Sequence, residues 1–296
     1  MRHVVFPHPD SLVSGKGSGS WLELPLLCCQ DAGGLPESAI PIAAAWGMLY
    51  TAAHLMDAVE DHDELAELGP EITPALAVNL ATGLYASSTH ILTRMTNENR
   101  ETGLVLETIR DFHQTILAMS GSQHQDLVSS TPSLQDWWSM AEGKSGSFFA
   151  LGCRAGARLA TTEPQRVDGY WRYGRHVGIL IQIADDAKDL WGDAPPGPAG
   201  TSKIERSLPV LYAVSVLSPE EGASLKARIR AGPWTPNKAA AVRKQVEAAG
   251  AALYITTRIE QHFREATSAL RDPVVSPQAR QRLLELAEWT RSAGAA

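Results

Sequence analysis

Cysteine is almost missing from this chain. Its three thiols, Cys28, Cys29 and Cys153, cannot make a disulfide framework, and two of them are adjacent. That scarcity fits a reducing compartment, so a cytoplasmic location is expected. Positive charge is also short: 26 Lys and Arg stand against 33 Asp and Glu, for a net charge of −7. With no basic stripe, nucleic acid is excluded as the main partner. Strand-like alternation is missing throughout, and so is any repeat of fixed period. Gly143-Lys-Ser145 lacks the upstream glycine of a phosphate-binding P-loop, which excludes an NTPase of that type. The first residues, Met1 to Pro9, lack the apolar core of a signal peptide. Between Ser38 and Met56 there is no Asp, Glu, Lys or Arg, and the stretch is long enough to span a bilayer. It carries Pro41, Gly47, Thr51 and His54, however, and runs straight into Asp57, which reads as a helix buried in a large α-domain. No integral membrane segment is expected.

What remains is helical periodicity broken by proline and glycine. Residues 1–20 read as a flexible arm, and residues 21–296 as one all-α domain. After breaks at Gly33-Gly34 and Pro36, a helix carries Asp57 to Glu64 at its C-terminal end, and residues 65–74 form a loop. Helices follow over 75–95 and 101–129, and from Ser133 to a break at Glu142–Ser147. Further helices cover Phe148 to Leu159 and start again at Pro164, with the Asp-rich helix after that. Residues 193–202 read as a mobile loop, Ser207-Leu-Pro209 opens another helix, and the tail breaks at Gly232-Pro233, Pro236, Asp272-Pro273 and Pro277.

The chemistry concentrates in two acidic stripes. Gln182, Asp185, Asp186 and Asp189 lie at helical offsets of three, four and seven, flanked by Ile179, Ile181, Ile183 and Leu190. Asp57, Glu60 and Asp61 repeat the pattern upstream. Carboxylates beside apolar flanks repel one another and are costly when buried unpaired. Oxygen-only donors suit Mg²⁺, and several Mg²⁺ ions between carboxylates call for a phosphate or diphosphate to complete the shell. Asp57, Glu60, Asp61, Asp185, Asp186 and Asp189 are therefore the expected metal ligands. Lys144, at a glycine-flanked break, and Lys203 and Arg206, after the mobile loop, are placed to hold phosphate oxygens. Gln123 and Asp126 sit one turn apart and can orient a neighbour. His90 and Arg94 are weaker pocket candidates. Trp137, Trp138, Trp171 and Trp191 read as core, although aromatic walls also suit a carbocation.

At this point the motifs resemble a family. His54-Leu-Met-Asp-Ala-Val-Glu-Asp61 resembles the first Asp-rich motif of the trans-prenyltransferases, or polyprenyl synthetases, and their class I terpene-cyclase relatives. Gln123-His-Gln-Asp126, Lys144-Ser-Gly-Ser-Phe-Phe-Ala-Leu151, Gln182 to Asp193 and Lys203 to Ala213 resemble four further motifs, in order, over residues 21–215. The resemblance implies an all-α isoprenoid synthase bundle around a central cavity, commonly a homodimer. It also implies an allylic prenyl diphosphate as substrate and Mg²⁺, three per site, as cofactor. Asp57, Asp61, Asp185, Lys144 and Lys203 become the expected catalytic residues. Gln123, Asp126, Gln182, Arg206 and Phe148 become substrate contacts. Ala52 and Ala53, five and four residues before the first Asp, set cavity depth in the family; both are small, so a C15 or longer chain is expected.

The departures shape the functional expectation. Ala58 stands where the second Asp of the first motif is usual, and restoring Asp there is expected to be tolerated. The family's basic motif for isopentenyl diphosphate has no counterpart in Ser20 to Pro25, and no Arg follows the first motif between Asp61 and Gly69. Losing several charge-assisted contacts costs on the order of 5 kcal/mol of affinity for an anionic acceptor. The expected function is accordingly a class I terpene synthase that ionises the diphosphate and cyclises the cation. The alternatives are a prenyl diphosphate synthase, a prenyltransferase to a non-isoprenoid acceptor such as peptide tryptophan, or a non-catalytic partner subunit of a prenyl diphosphate synthase.

Overall fold

The structure is a computed structural model that describes residues 21–61, 71–95, 102–192, 200–271 and 275–294. The expected arm at 1–20, the segments 62–70 and 193–199, and the Asp272-Pro273 break lie outside the described residues. Among the described residues every regular element is helical. A 3₁₀ turn, Trp21–Glu23, leads into α1 (Leu24–Asp31), and a second, Pro36–Ala39, leads into α2 (Ile40–Glu60). Next come α3 (Pro74–Thr93), α4 (Thr102–Val128), α5 (Leu134–Ala141), a π-helical segment (Glu142–Gly146) and α6 (Ser147–Arg158). The rest is α7 (Pro164–Trp191), α8 (Gly200–Arg206), α9 (Leu208–Val216), α10 (Pro219–Arg230), α11 (Pro236–Ala248), α12 (Ala251–Ala269) and α13 (Pro277–Gly294).

Many starts follow local chemistry. Thr73 accepts from the Leu76 amide and Pro74 occupies the first turn of α3. Ser133 and Asp136 form a reciprocal capping box on α5, as Ser218 and Glu221 do on α10. Three sequence expectations change. The break at 142–147 is a π-helical turn, so α5 and α6 run on without a loop. Gly200, Thr201 and Ser202 belong to a helix and not to the preceding loop. Gly250, at φ +85°, splits α11 from α12 where no break is expected; a residue with Cβ is strained there.

Helix α7 is the axis of the bundle, packed against α6, α12, α13, the π segment and α9. Its buried positions include Val167, Tyr173, Val177, Ile179, Ile183 and Leu190. Close approach depends on Gly178: a Cβ there would meet the Ser145 carbonyl oxygen at 2.2 Å. The main core gathers Leu24, Ile42, Trp46, Leu49, Phe112, Phe148, Phe149 and Tyr173, and a smaller C-terminal core gathers Ile204, Val210, Leu225, Ile229, Val242 and Val246. Buried Asp31 joins α1 to α7 and α13 by accepting from Tyr170 Oη at 2.9 Å and Arg280 Nε at 2.8 Å. The segment Pro36–Glu60 is the one stretch among the described residues with the length and apolarity to cross a membrane. Its Ile42, Ala45, Trp46, Leu49, Ala52, Leu55 and Ala58 are buried against other helices.

Candidate active site

The π segment sets the position of Lys144. One extra residue per turn shifts the register, a distortion frequent at functional sites. The segment is pinned by Arg175 Nη2 to Glu142 at 2.5 Å and by Ser147 Oγ to the Gly143 carbonyl at 2.6 Å. Lys144 Nζ then reaches across to Asp57 Oδ1 on α2 and donates to Gln123 Oε1 on α4 at 3.0 Å. Lys203 on α8 pairs with Asp61 Oδ2 at 3.5 Å. The first acidic stripe is thus held by two lysines from distant segments. Glu60 lies beside them, its carboxyl pushed up by burial and then by Asp57.

The second stripe divides. Asp185 and Asp189 face outward from α7 and keep solvent access. Asp185 nevertheless sits in a recess: surrounding protein, and then Asp189, push its carboxyl up to about 6. Asp186, one residue on, turns the other way and is 8% exposed. Its Oδ2 accepts from Trp137 Nε1 at 2.7 Å and from the Leu208 amide at 2.7 Å, and its Oδ1 accepts from Gln182 Nε2 at 3.3 Å. Burial pushes it up to about 7 against the pull of those bonds. Both oxygens of Asp186, expected as a metal ligand, thus join α5, α7 and the start of α9. Gln182 is likewise occupied, since its Oε1 accepts from Ser145 Oγ at 2.8 Å.

Tyr50 on α2 lies within electrostatic reach of both stripes. Its phenol is pushed up by burial first, then by Asp185 on α7 and Asp57 on α2. It lies 5.8 Å from Phe148, which stacks on Trp46 at 4.6 Å. An aromatic wall thus adjoins the acids. Ala53 shares the face of α2 that presents Tyr50 and Asp57, whereas Ala52 is buried in the α2–α3 interface with Leu55, Ala77 and Ala81. Arg206 and Asp126, expected as substrate contacts, pair with each other. Arg206 donates to Asp126 Oδ1 at 2.5 Å and to the Ser129 carbonyl at 2.9 Å, so it closes the C-terminal end of α4 and does not face the acids. His90 and Arg94 are exposed on and just after α3. Sequence reasoning missed Tyr50, the bond from Ser145 to Gln182, and the bonds that Trp137, read as core, and the Leu208 amide make to Asp186. Ser145 and Tyr50 were within reach of pattern, beside Lys144 and seven residues before Asp57; the Leu208 amide carries no sequence signal.

The polyprenyl synthetase family model matches residues 23–247. The chain belongs to the polyprenyl synthetase family. It is 26% identical to a geranylgeranyl diphosphate synthase of Mycobacterium tuberculosis over 93% of this chain and 81% of that one. It is 29% identical to the tryptophan prenyltransferase ComQ of Bacillus subtilis subsp. natto over 61% of this chain and 55% of that one, so it spans about half of that relative. In three dimensions it resembles a polyprenyl synthetase from Streptomyces coelicolor, with TM-score 0.80 and 22% identity, over 94% of this chain and 86% of that one. A polyprenyl synthase from Caulobacter crescentus, solved with calcium and isoprenyl diphosphate, gives TM-score 0.78 at 21% identity over 96% and 87% of the two chains. These likenesses show the all-α isoprenoid synthase fold.

Among the described residues no three His, Cys, Asp or Glu side chains are drawn into a closed ligand cluster. The donor set fits Mg²⁺ all the same: hard oxygens on two helices, with Asp185 held against its own ionisation by burial and then by Asp189.

Proposed function

We propose that this protein is a prenyltransferase that ionises an allylic prenyl diphosphate and passes the prenyl group to an acceptor. The observation that carries this is the pair of acidic stripes flanking Tyr50, with Lys144 and Lys203 drawn onto the first of them. Asp57, Asp61, Asp185 and Asp189 would hold Mg²⁺, three ions per site, and the metal would supply charge neutralisation for the departing diphosphate. Lys144 and Lys203 then bind diphosphate oxygens as point charges. Gln123, fixed by Lys144, orients that lysine. Tyr50, backed by Phe148 and Trp46, would exclude water from the allylic cation and offer it π-density. With Ala53 small, the chain length is C15 or longer.

The named relatives are transferases, which supports transfer over the cyclisation expected from the sequence. The N-terminal turn Trp21–Glu23 carries aromatic and acidic side chains and no basic one. Trp21 meets Phe149 at 5.4 Å and Trp289 at 5.6 Å, and Glu23 faces Arg282 at 3.5 Å. That setting supports an acceptor without a diphosphate of its own, such as an indole ring. Internal quenching of the cation is a second reading, favoured by the same lack of basic residues in Ser20 to Pro25. Two copies pairing through exposed Leu106 and Leu117 on α4 would give the homodimer usual for the family.

The test is pyrophosphate release with Mg²⁺ and C10 to C25 allylic diphosphates. Each is supplied alone, with isopentenyl diphosphate, and with a tryptophan peptide, and products are identified by mass spectrometry. Release that requires the peptide supports the proposal. Release without any acceptor, giving a hydrocarbon, supports cyclisation. Release only with isopentenyl diphosphate overturns the acceptor reading, and no release at all overturns the function.

A further inference from the structure

A second polar recess lies away from the acidic stripes, between the C-terminal end of α4, α8 and α10, with a volume of about 350 Å³. Its cations are Arg206, Lys226 and Arg230. Two of them are already held. Arg206 is fixed by Asp126, and Arg230 forks onto Glu205 at 2.7 and 2.5 Å. Lys226 is different: it makes no ion pair or hydrogen bond among the described residues, although it is half-buried in the recess. Ser130, Thr201 and Ser202 add hydroxyls at the same wall that have no hydrogen-bond partner among the described residues. Pro132 and Leu211 add apolar surface.

Asp126 and Glu205 offset two of the three cations, and Lys226 leaves one uncompensated positive charge in the recess on a protein of net charge −7. An unpartnered ammonium with loose hydroxyl donors suits a compact oxyanion, which can accept from all of them. The recess also shares an element with the candidate active site. Helix α8 presents Ser202, Glu205 and Arg206 to the recess, and Lys203 to Asp61.

We propose that this recess is a second anion site, separate from the acidic stripes, that takes a phosphate or diphosphate group, with α8 linking its occupancy to the placement of Lys203. Restraining α8 biases the pose of Lys203, and the linkage is reciprocal.

The experiment is calorimetric titration of the full chain with inorganic pyrophosphate in EDTA, where metal-dependent binding at the acidic stripes is switched off. Saturable binding of one equivalent is expected. Lys226→Glu, a half-buried side chain without a partner, is expected to weaken it by at least about tenfold. Ser202→Asp, from a second element, is expected to do the same, while Lys144→Met leaves it unchanged. Circular dichroism and thermal melting confirm that each variant folds. Binding lost in Lys144→Met but retained in Lys226→Glu and Ser202→Asp would place the anion at the acidic stripes and overturn the proposal. Absence of saturable heat would overturn it as well.

Discussion

Asp185 and Asp186 are neighbours on α7, yet helix geometry turns them ~100° apart. One looks into the recess beside Tyr50, and the other is sealed between Trp137, Gln182 and the Leu208 amide. Their substitutions should therefore fail in different ways. Asp185→Ala is expected to leave the melting temperature close to that of the parent and to cut pyrophosphate release by on the order of a thousandfold. Asp186→Ala is expected to cost ~3 kcal/mol of stability, because it strands a buried indole N–H and a helix-start amide, and a thermal melt reads that directly. An Asp185→Ala variant that keeps its turnover would remove the metal role. Ala58 shows the same dependence on surroundings. It is 7% exposed on α2, so Ala58→Asp buries a carboxylate and is expected to destabilise the fold by ~1–2 kcal/mol, against the tolerance the sequence implies. The polar stripe was legible from spacing alone. Which of its members faces the recess was not, because two of the three partners of Asp186 lie 49 and 22 residues away along the chain.

Elements were legible where punctuation is local. Pro74, Pro164, Ser133 and Ser218 start their helices by capping rules that act within a turn. The π segment was read as a break because Gly143, Ser145 and Gly146 resemble turn chemistry, and only packing against α4 and α7 keeps it helical. Its fit against α7 depends on the missing Cβ of Gly178. Gly178→Ala is expected to cost ~2–4 kcal/mol and to push the Ser145 carbonyl, and with it Lys144, away from Asp57. Chemical denaturation gives the first effect. A rise in KM for the allylic diphosphate larger than the fall in kcat gives the second. Equal stability of parent and variant would mean that the two helices slide apart freely.

Across the whole molecule the fold class followed from composition, since no segment alternates like a strand and apolar helical faces run through the chain. The pairing of helices did not, and neither did the contact of His176 on α7 with His262 on α12, whose Nδ1 atoms are 2.9 Å apart. Burial is the main cause that holds His176 down to about 4 and His262 to about 3. Unfolded imidazoles titrate near 6.5. Below that pH the unfolded chain takes up protons that the folded pair refuses, so this contribution is complete above 6.5 and is lost as pH falls toward 4. Partial solvent access limits the loss to ~1–2 kcal/mol for the pair. Melting temperatures between pH 7.5 and 4 should decline in the parent and decline less steeply in His262→Phe; parallel curves would remove the pair as the cause.

The lysines that steady the first acidic stripe also set a schedule. Asp57, Glu60 and Asp61 arrive early on α2, but Lys144 is 87 residues further along, and Lys203 later still. Until those loops close, three like charges crowd one helix end with nothing beside them. During refolding α2 can form and pack early, but the acids fall into working order only when the π segment and α8 dock. Catalytic competence should therefore return with the slowest folding phase, after most helicity is back, and a chain cut before Lys203 should hold helices without a working site.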